Sequence, residues 1–218
     1  MGLPDARGRP RDPQAQSRIM EAALAEYARV GWSGFTMDGV ARAAGVGKST
    51  LYLRWKNKEQ LLLDSLDASA SPLSAPIDTG TLYGDLMALA TALLEYFLDP
   101  AGWTALRISI DAKAYAPALD TLNDRVTSPI GDAASTIFAR GITRGDLPDS
   151  VALRSATECL YGSVLMHVMA MDPMVLQQGK IDPAEQIRPL VHIVLTGIGA
   201  SLPERPDGTS AGAISQSR

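Results

Sequence analysis

The sequence predicts an all-α fold in two unequal parts, and three observations predict it. Apolar residues recur at spacings of three and four, the period of a helix face rather than of a strand. Glycine and proline fall at the ends of those periodic runs, where helices stop and start. A stretch rich in breakers, residues 71–80 (Ser-Pro-Leu-Ser-Ala-Pro-Ile-Asp-Thr-Gly), separates a short first set of helices from a longer second set. The expected organisation is a flexible basic arm over 1–14, a three-helix helix-turn-helix domain over 15–66, a larger helical domain over 67–202 and a disordered tail over 203–218.

Composition narrows the class. In 218 residues, 46% hydrophobic and 20% charged, a sizeable core can be buried. The single cysteine, Cys159, excludes an internal disulfide and fits a reducing compartment. The start of the chain is polar and Arg-rich, without the apolar run of a signal peptide, and Ala6 stands where a myristoylation motif needs Ser or Thr. The most apolar stretches, 164–171 and 190–202, are too short to span a bilayer, so a cytoplasmic protein is expected. The net charge of −4 is unevenly divided: residues 1–60 carry ten Lys/Arg against six Asp/Glu, and the remainder carries ten against eighteen. A basic head on an acidic body directs polyanions to the head, although chance variation gives the same asymmetry.

Each element follows from local chemistry. Arg7, Arg9 and Arg11, interleaved with Gly8, Pro10 and Pro13, form an arm suited to a minor groove or simply to solvent. Ile19, Ala22, Ala23, Tyr27 and Val30 mark a first helix over 16–30, stopped by Gly31. Thr36 is an N-cap with Asp38 in the first turn, and Phe35 and Val40 flank it as a hydrophobic staple. That second helix ends at Gly45, a third starts near Gly47, and Asn57-Lys58-Glu59 opens a fourth. Leu51 and Trp55, four residues apart, share one face of the third helix and point inward. The 100° step per residue then turns Ser49, Tyr52 and Leu53 outward, with Lys48 at the edge. A cation, a hydroxyl, a phenol and an apolar surface suit base edges and phosphates together. Thr36 and Lys58 begin the helices on either side, where a hydroxyl, free N–H groups and a cation suit phosphates.

The run Thr36-Met-Asp-Gly-Val-Ala-Arg-Ala-Ala-Gly-Val-Gly-Lys-Ser-Thr-Leu-Tyr-Leu-Arg-Trp-Lys-Asn-Lys-Glu-Gln-Leu-Leu62 resembles the DNA-binding domain of the TetR family of transcriptional repressors, over roughly residues 15–66. The Thr-Leu-Tyr run and the Lys-x-x-Leu-Leu after an aromatic carry the resemblance. It implies a homodimer that binds a palindromic operator in double-stranded DNA and is released when a ligand enters the C-terminal domain. By that resemblance Lys48, Ser49, Thr50 and Tyr52 sit in the groove, and Thr36, Arg54 and Lys58 grip the backbone. Gly47, where the family usually has Ser, and Leu53, at a frequently polar or aromatic position, depart from the pattern and leave the base preference open.

Gly45-Val-Gly-Lys-Ser-Thr50 is also spelled like the end of a phosphate-binding P-loop. That pattern needs a glycine at position 42, which is Arg42, and a buried strand in front, where the sequence is amphipathic in the helical sense.

Beyond residue 80 the expected helices are 81–98, 103–116, 117–143 with a kink at Pro129, 149–171 and 183–202. The last two are apolar around much of their circumference. Leu160, Val164, Val168, Leu190, Val191, Val194, Leu195 and Ile198 are therefore candidates for a dimer interface, with closure of the chain's own core as the alternative. Trp103, Arg107, Tyr115, Phe138, Cys159, Tyr161, Met166 and His167 are candidates for a pocket taking a small apolar or aromatic effector, though the same residue types also make ordinary core. Two histidines far apart give no metal site, no cofactor is implied, and no catalytic motif is found, so an enzyme is not expected. A ligand-responsive repressor is the leading expectation. A regulator answering to a protein partner, or an activator without a small-molecule inducer, is the alternative.

Overall fold

The computed structural model describes residues 14–69, 76–115, 119–172 and 182–200, and is helical throughout its regular elements. The predicted arm and tail lie outside the described residues, save for Gln14. Among the described residues no helix is long and apolar enough to cross a membrane.

Helix α1 (Ala15–Gly34) buries Ile19, Ala23 and Tyr27, four residues apart, along one stripe. Its regular part ends at Gly31, as the sequence indicates, where φ 65° and ψ −175° break the helical path. In an unbroken helix the Trp32 N–H would donate to the Ala28 carbonyl. Here the two are parted, and α6 (Pro100–Tyr115) supplies a substitute for each. Arg107 Nη1 donates to Ala28 O at 2.7 Å, and Trp32 N donates to Asp111 Oδ2 at 2.9 Å. The same carboxylate oxygen accepts from the Tyr27 hydroxyl at 2.9 Å. Burial, and then the hydrogen bond to Asp111, push the Tyr27 phenol far above its ordinary pKa, so it stays a donor. Arg107 and Asp111 lie one helical turn apart, 3.9 Å from each other, and form an ion pair inserted into α1. A Cβ on residue 31 would lie 2.5 Å from Arg107 Nη2, so glycine serves both the backbone angle and the close approach.

Helix α2 (Met37–Ala43) starts at the N-cap Thr36 and ends in a left-handed Gly45 at φ 66°. The Gly45 N–H donates to Arg42 O at 3.2 Å and the Val46 N–H to Ala41 O at 3.0 Å, the paired closure that a glycine beyond a helix end permits. Helix α3 (Lys48–Tyr52) is capped by Gly47, and α4 (Lys58–Ala68) by Asn57, whose Oδ1 accepts from Gln60 N at 2.9 Å. Phe35 and Val40, the staple pair, are fully buried in the same core.

The second set comprises α5 (Leu82–Leu98), α6, α7 (Asp120–Arg144), α8 (Leu153–Ala170) and α9 (Pro183–Gly197). The sequence places the start of α6 at Trp103. It begins at Pro100 instead, because proline suits a first helical turn and Asp99 Oδ1 caps it by accepting from Ala101 N at 2.8 Å. The expected kink at Pro129 does not divide α7, which is assigned as one helix of 25 residues. Proline removes a single intrahelical bond, and α7 is anchored on both sides of it, by Leu122 in one core and Phe138 in the other. Helix α8 starts at Leu153 rather than 149, since Val151 N closes a turn onto Pro148 O at 3.1 Å. Where the chain resumes after the linker, Asp85 is fully buried and accepts from Thr79 N at 2.6 Å and Arg140 Nη2 at 2.8 Å. Burial opposes its ionisation, but these donors outweigh it and hold the carboxyl below the usual carboxylate range.

Two apolar cores result. One joins α5, α7, α8 and α9. The other lies within α1–α4 but is completed by Ile108 and Ala112 of α6 and by Leu119 and Leu122 at the head of α7. The N-terminal helices thus lean on residues beyond position 66. Removing the carboxylate in Asp111→Ala strips the acceptor from both Trp32 N–H and Tyr27 O–H. Denaturant unfolding is expected to register a loss of ~3 kcal/mol. A loss below ~0.5 kcal/mol, the level of an ordinary surface substitution, contradicts the inserted pair.

Candidate nucleic-acid interface

The third helix is short, and its placement depends on two side chains beneath it. Leu51 is fully buried and Trp55 nearly so, and Trp55 Nε1 donates to Asp64 Oδ2 on α4 at 2.9 Å. Asp64 Oδ1 in turn accepts from Gln60 Nε2 at 2.7 Å, which holds the carboxylate in place. With that face anchored, Lys48, Ser49, Tyr52, Leu53 and Arg54 are exposed, Tyr52 at 56% and Leu53 at 86%. Thr50 is half-buried, with its N–H donating to Gly47 O at 2.9 Å. An outward phenol beside an outward leucine offers a donor and an apolar surface on one short helix.

Thr36 is exposed and its Oγ1 accepts from Gly39 N at 3.1 Å, which leaves the hydroxyl proton for a further acceptor. Lys48 forms an ion pair with Asp38 in the first turn of α2. In the sequence Asp38 reads only as a first-turn acid of α2. The ten-residue separation gave no sign that the turn at Gly45 brings these two first turns together.

Lys58 has partners within the chain. Its Nζ donates to Trp32 O at 3.0 Å and to Phe35 O at 3.2 Å, and lies 3.8 Å from the centre of the Trp32 ring. Burial lowers its pKa. The ammonium closes the carbonyls left open by the broken end of α1, which occupies two of its three donors in the free protein. The Trp32 peptide is thereby gripped on both sides, through its N–H by α6 and through its C=O by α4.

The C-terminal candidates are redistributed. Leu160, Val164, Val168, Val191, Val194 and Leu195 are buried in the chain's own core, and Leu190 and Ile198 are half-buried against it. A side chain with no surface left has none to give a partner, so the six buried residues close the monomer, while Leu190 and Ile198 keep some surface and Ile198 borders a groove. Helices α8 and α9 expose Met166 at 60% and Ile193 at 70%, and Ile193 borders a groove of about 630 Å³ that Ser155, Cys159, Ser163 and Gly197 help to line.

The pocket candidates have different surroundings. Trp103 and Tyr115 are exposed on α6, Met166 is exposed on α8, and Phe138 is fully buried. Arg107 is spent on Ala28 O, Tyr161 packs edge-on against Phe97 at 5.3 Å, and His167 Nε2 lies 3.1 Å from Gln186 Oε1. Of the eight, Cys159 alone borders the groove. The P-loop spelling runs from the turn after α2 into the first residues of α3, with a helix rather than a strand in front of it.

Comparison with known proteins bears on this geometry. Residues 19–64 match the family described as bacterial regulatory proteins, tetR family, and residues 76–184 match the tetracyclin repressor-like C-terminal domain. The chain is 31% identical over 163 residues to the HTH-type transcriptional regulator AqdR of Rhodococcus erythropolis, covering 74% of this chain and 78% of that one. It is 38% identical over 135 residues to the DNA-binding transcriptional repressor TetR of Mycobacteroides abscessus, covering 59% and 68%. Among solved structures it shares its fold with FadR of Bacillus subtilis in complex with stearoyl-CoA, at a TM-score of 0.64 and 19% identity over 84% of this chain and 98% of that one. A tetR-family regulatory protein from Rhodococcus gives 0.66 at 20% identity over 87% and 100%.

Lys58→Met is expected to lower the melting temperature while leaving the salt dependence of DNA binding unchanged. A salt slope shallower by about one, with melting unaltered, would return Lys58 to the phosphate contacts.

Proposed function

The chain belongs to the TetR family of transcriptional regulators, and we propose that it is a cytoplasmic, non-enzymatic repressor that binds a palindromic operator as a homodimer. Its release is set by a small apolar or aromatic effector taken up by the C-terminal domain. The observation that carries the DNA-binding part is the anchored third helix. Leu51 and Trp55 hold it from beneath while Lys48, Ser49 and Tyr52 face outward with Leu53. In this reading Thr36 and Arg54 grip phosphates on either side, and Thr50 borders the groove. Exposed Arg42 and Lys56 add to the same basic surface.

Effector control is supported by the tetracyclin repressor-like match over residues 76–184 and by the fold shared with FadR, a protein solved with stearoyl-CoA. The inserted Arg107–Asp111 pair gives α6 a direct hold on α1, so a ligand that moves α6 moves the DNA-binding helices with it. For the dimer, two half-sites require a two-fold partner. Met166 and Ile193 on the outer faces of α8 and α9 supply apolar surface for it.

Two measurements test this reading. Binding to a duplex selected by the native protein from a random library is expected to weaken steeply with salt. Tyr52→Ala is expected to cost ~1–3 kcal/mol of that binding with melting unchanged. Selection of no duplex, or full binding by the Tyr52 variant, refutes the recognition face. In sedimentation, Ile193→Glu is expected to give folded monomers, whereas an unaltered dimer removes the outer face of α9 from the interface.

A further inference from the structure

Leu53 is the most exposed large apolar side chain among the described residues, at 86%, and it joins neither core. The helical path of α3 runs on through it, since Leu53 N donates to Ser49 O at 3.0 Å and Trp55 N to Leu51 O at 2.9 Å. Leu53 therefore lies two residues from each of the buried anchors Leu51 and Trp55, about 160° around the axis from either. It is the point of the recognition helix turned furthest from the core. Ser49, one turn earlier, shares that line, and Tyr52 and Arg54 flank it. Single surface leucines are ordinary, so exposure alone assigns nothing. Here, however, the same small domain turns Arg42, Arg54 and Lys56 to solvent, and among the described residues none of them has a carboxylate partner. An apolar tip among unpaired cations suits a polyanion that carries apolar groups within reach. Duplex DNA has that layout, with phosphates outermost and the C5-methyl of thymine on the floor of the major groove.

We propose that Leu53 is a specificity-determining residue that reads thymine through its C5-methyl group. This rests on the DNA-binding reading above and supplies the base preference that the sequence leaves open. A leucine makes no hydrogen bond, so a methyl group is what it favours. Pressed against adenine N6, cytosine N4 or guanine O6, it would strip water from a donor or acceptor and return nothing, and those bases are penalised. The cations around it grip phosphates on any duplex and do not discriminate. Because Leu53 has no partner to leave in the free protein, the methyl contact is gained on binding rather than exchanged for another, and it is gained only where thymine stands.

The test is a cycle between one side chain and one methyl group, on the duplex selected by the native protein. Each thymine of a half-site is replaced in turn by deoxyuridine, which removes the methyl and keeps the hydrogen-bonding edge. At one thymine, or at two neighbours, the native protein is expected to bind about four-fold more weakly for each methyl lost, the scale of one buried methylene. Leu53→Ala is expected to bind the unmodified duplex more weakly and to be indifferent to that deoxyuridine, within about 1.5-fold. Its salt slope should match that of the native protein, since no charge is lost. Leu53→Met, apolar and of similar reach, should keep the deoxyuridine penalty, and Leu53→Gln replaces Leu53→Ala if the latter fails to melt cooperatively. A penalty that persists in Leu53→Ala, or that disappears only in Tyr52→Ala, places the methyl against another side chain and overturns the proposal. So does a selected half-site without thymine, or one at which deoxyuridine costs the native protein nothing. Failure of the native protein to select any duplex is a different result and strikes the DNA-binding reading itself.

Discussion

Between Trp32 N–H and Ala28 C=O, where an unbroken α1 would carry one of its own hydrogen bonds, the side chains of Arg107 and Asp111 stand instead. A broken helix end exposes donors and acceptors that must find partners, and here both partners come from a helix some eighty residues further along the chain. The cost of the break is met by charged groups at 2.7 and 2.9 Å, with Tyr27 O–H as a third bond onto the same carboxylate. Since hydrogen bonds to ionised groups are the stronger kind, the joint is firm, and around it Ile108 and Ala112 of α6 pack into the same core as Tyr27 and Trp32.

The arrangement of the DNA-facing helices follows from that joint. Trp32 is fixed to α6 by its N–H and to α4 by its carbonyl, through Lys58, whose ammonium also lies over the indole ring. Helix α4 carries Asp64, which accepts a hydrogen bond from the indole N–H of Trp55 and so fixes the chain just after α3. A lysine that resembles a phosphate ligand in the sequence thus also braces the broken end of α1. The cations left facing outward are Arg42, Lys48, Arg54 and Lys56.

Local signals made most of the fold legible. Thr36 and Asn57 cap the helices that their chemistry announces, Gly31 and Gly45 end helices with positive φ, and Leu51 and Trp55 turn inward as a spacing of four requires. Signals that depend on distant partners were not legible. Nothing near Lys58 indicates the carbonyls of Trp32 and Phe35, and nothing near Asp111 indicates an orphaned N–H on α1. The wide apolar faces of α8 and α9 suit a dimer seam and a monomer core equally in sequence. Burial of Leu160, Val164 and Leu195 against α5 and α7 decides for the core. The aromatic and sulfur-bearing side chains of the second domain spread over several surfaces, because period alone does not say which of two neighbouring helices a residue meets.

The DNA-binding helices do not stand alone, since α6 and the head of α7 complete their core with Ile108, Ala112, Leu119 and Leu122 and their hydrogen bonding with Arg107 and Asp111. Thermal melting of an excised fragment ending at residue 69, followed by circular dichroism beside the full chain, tests it most directly. The account predicts a fragment without a cooperative transition. A fragment that melts cooperatively near the temperature of the full chain would contradict it.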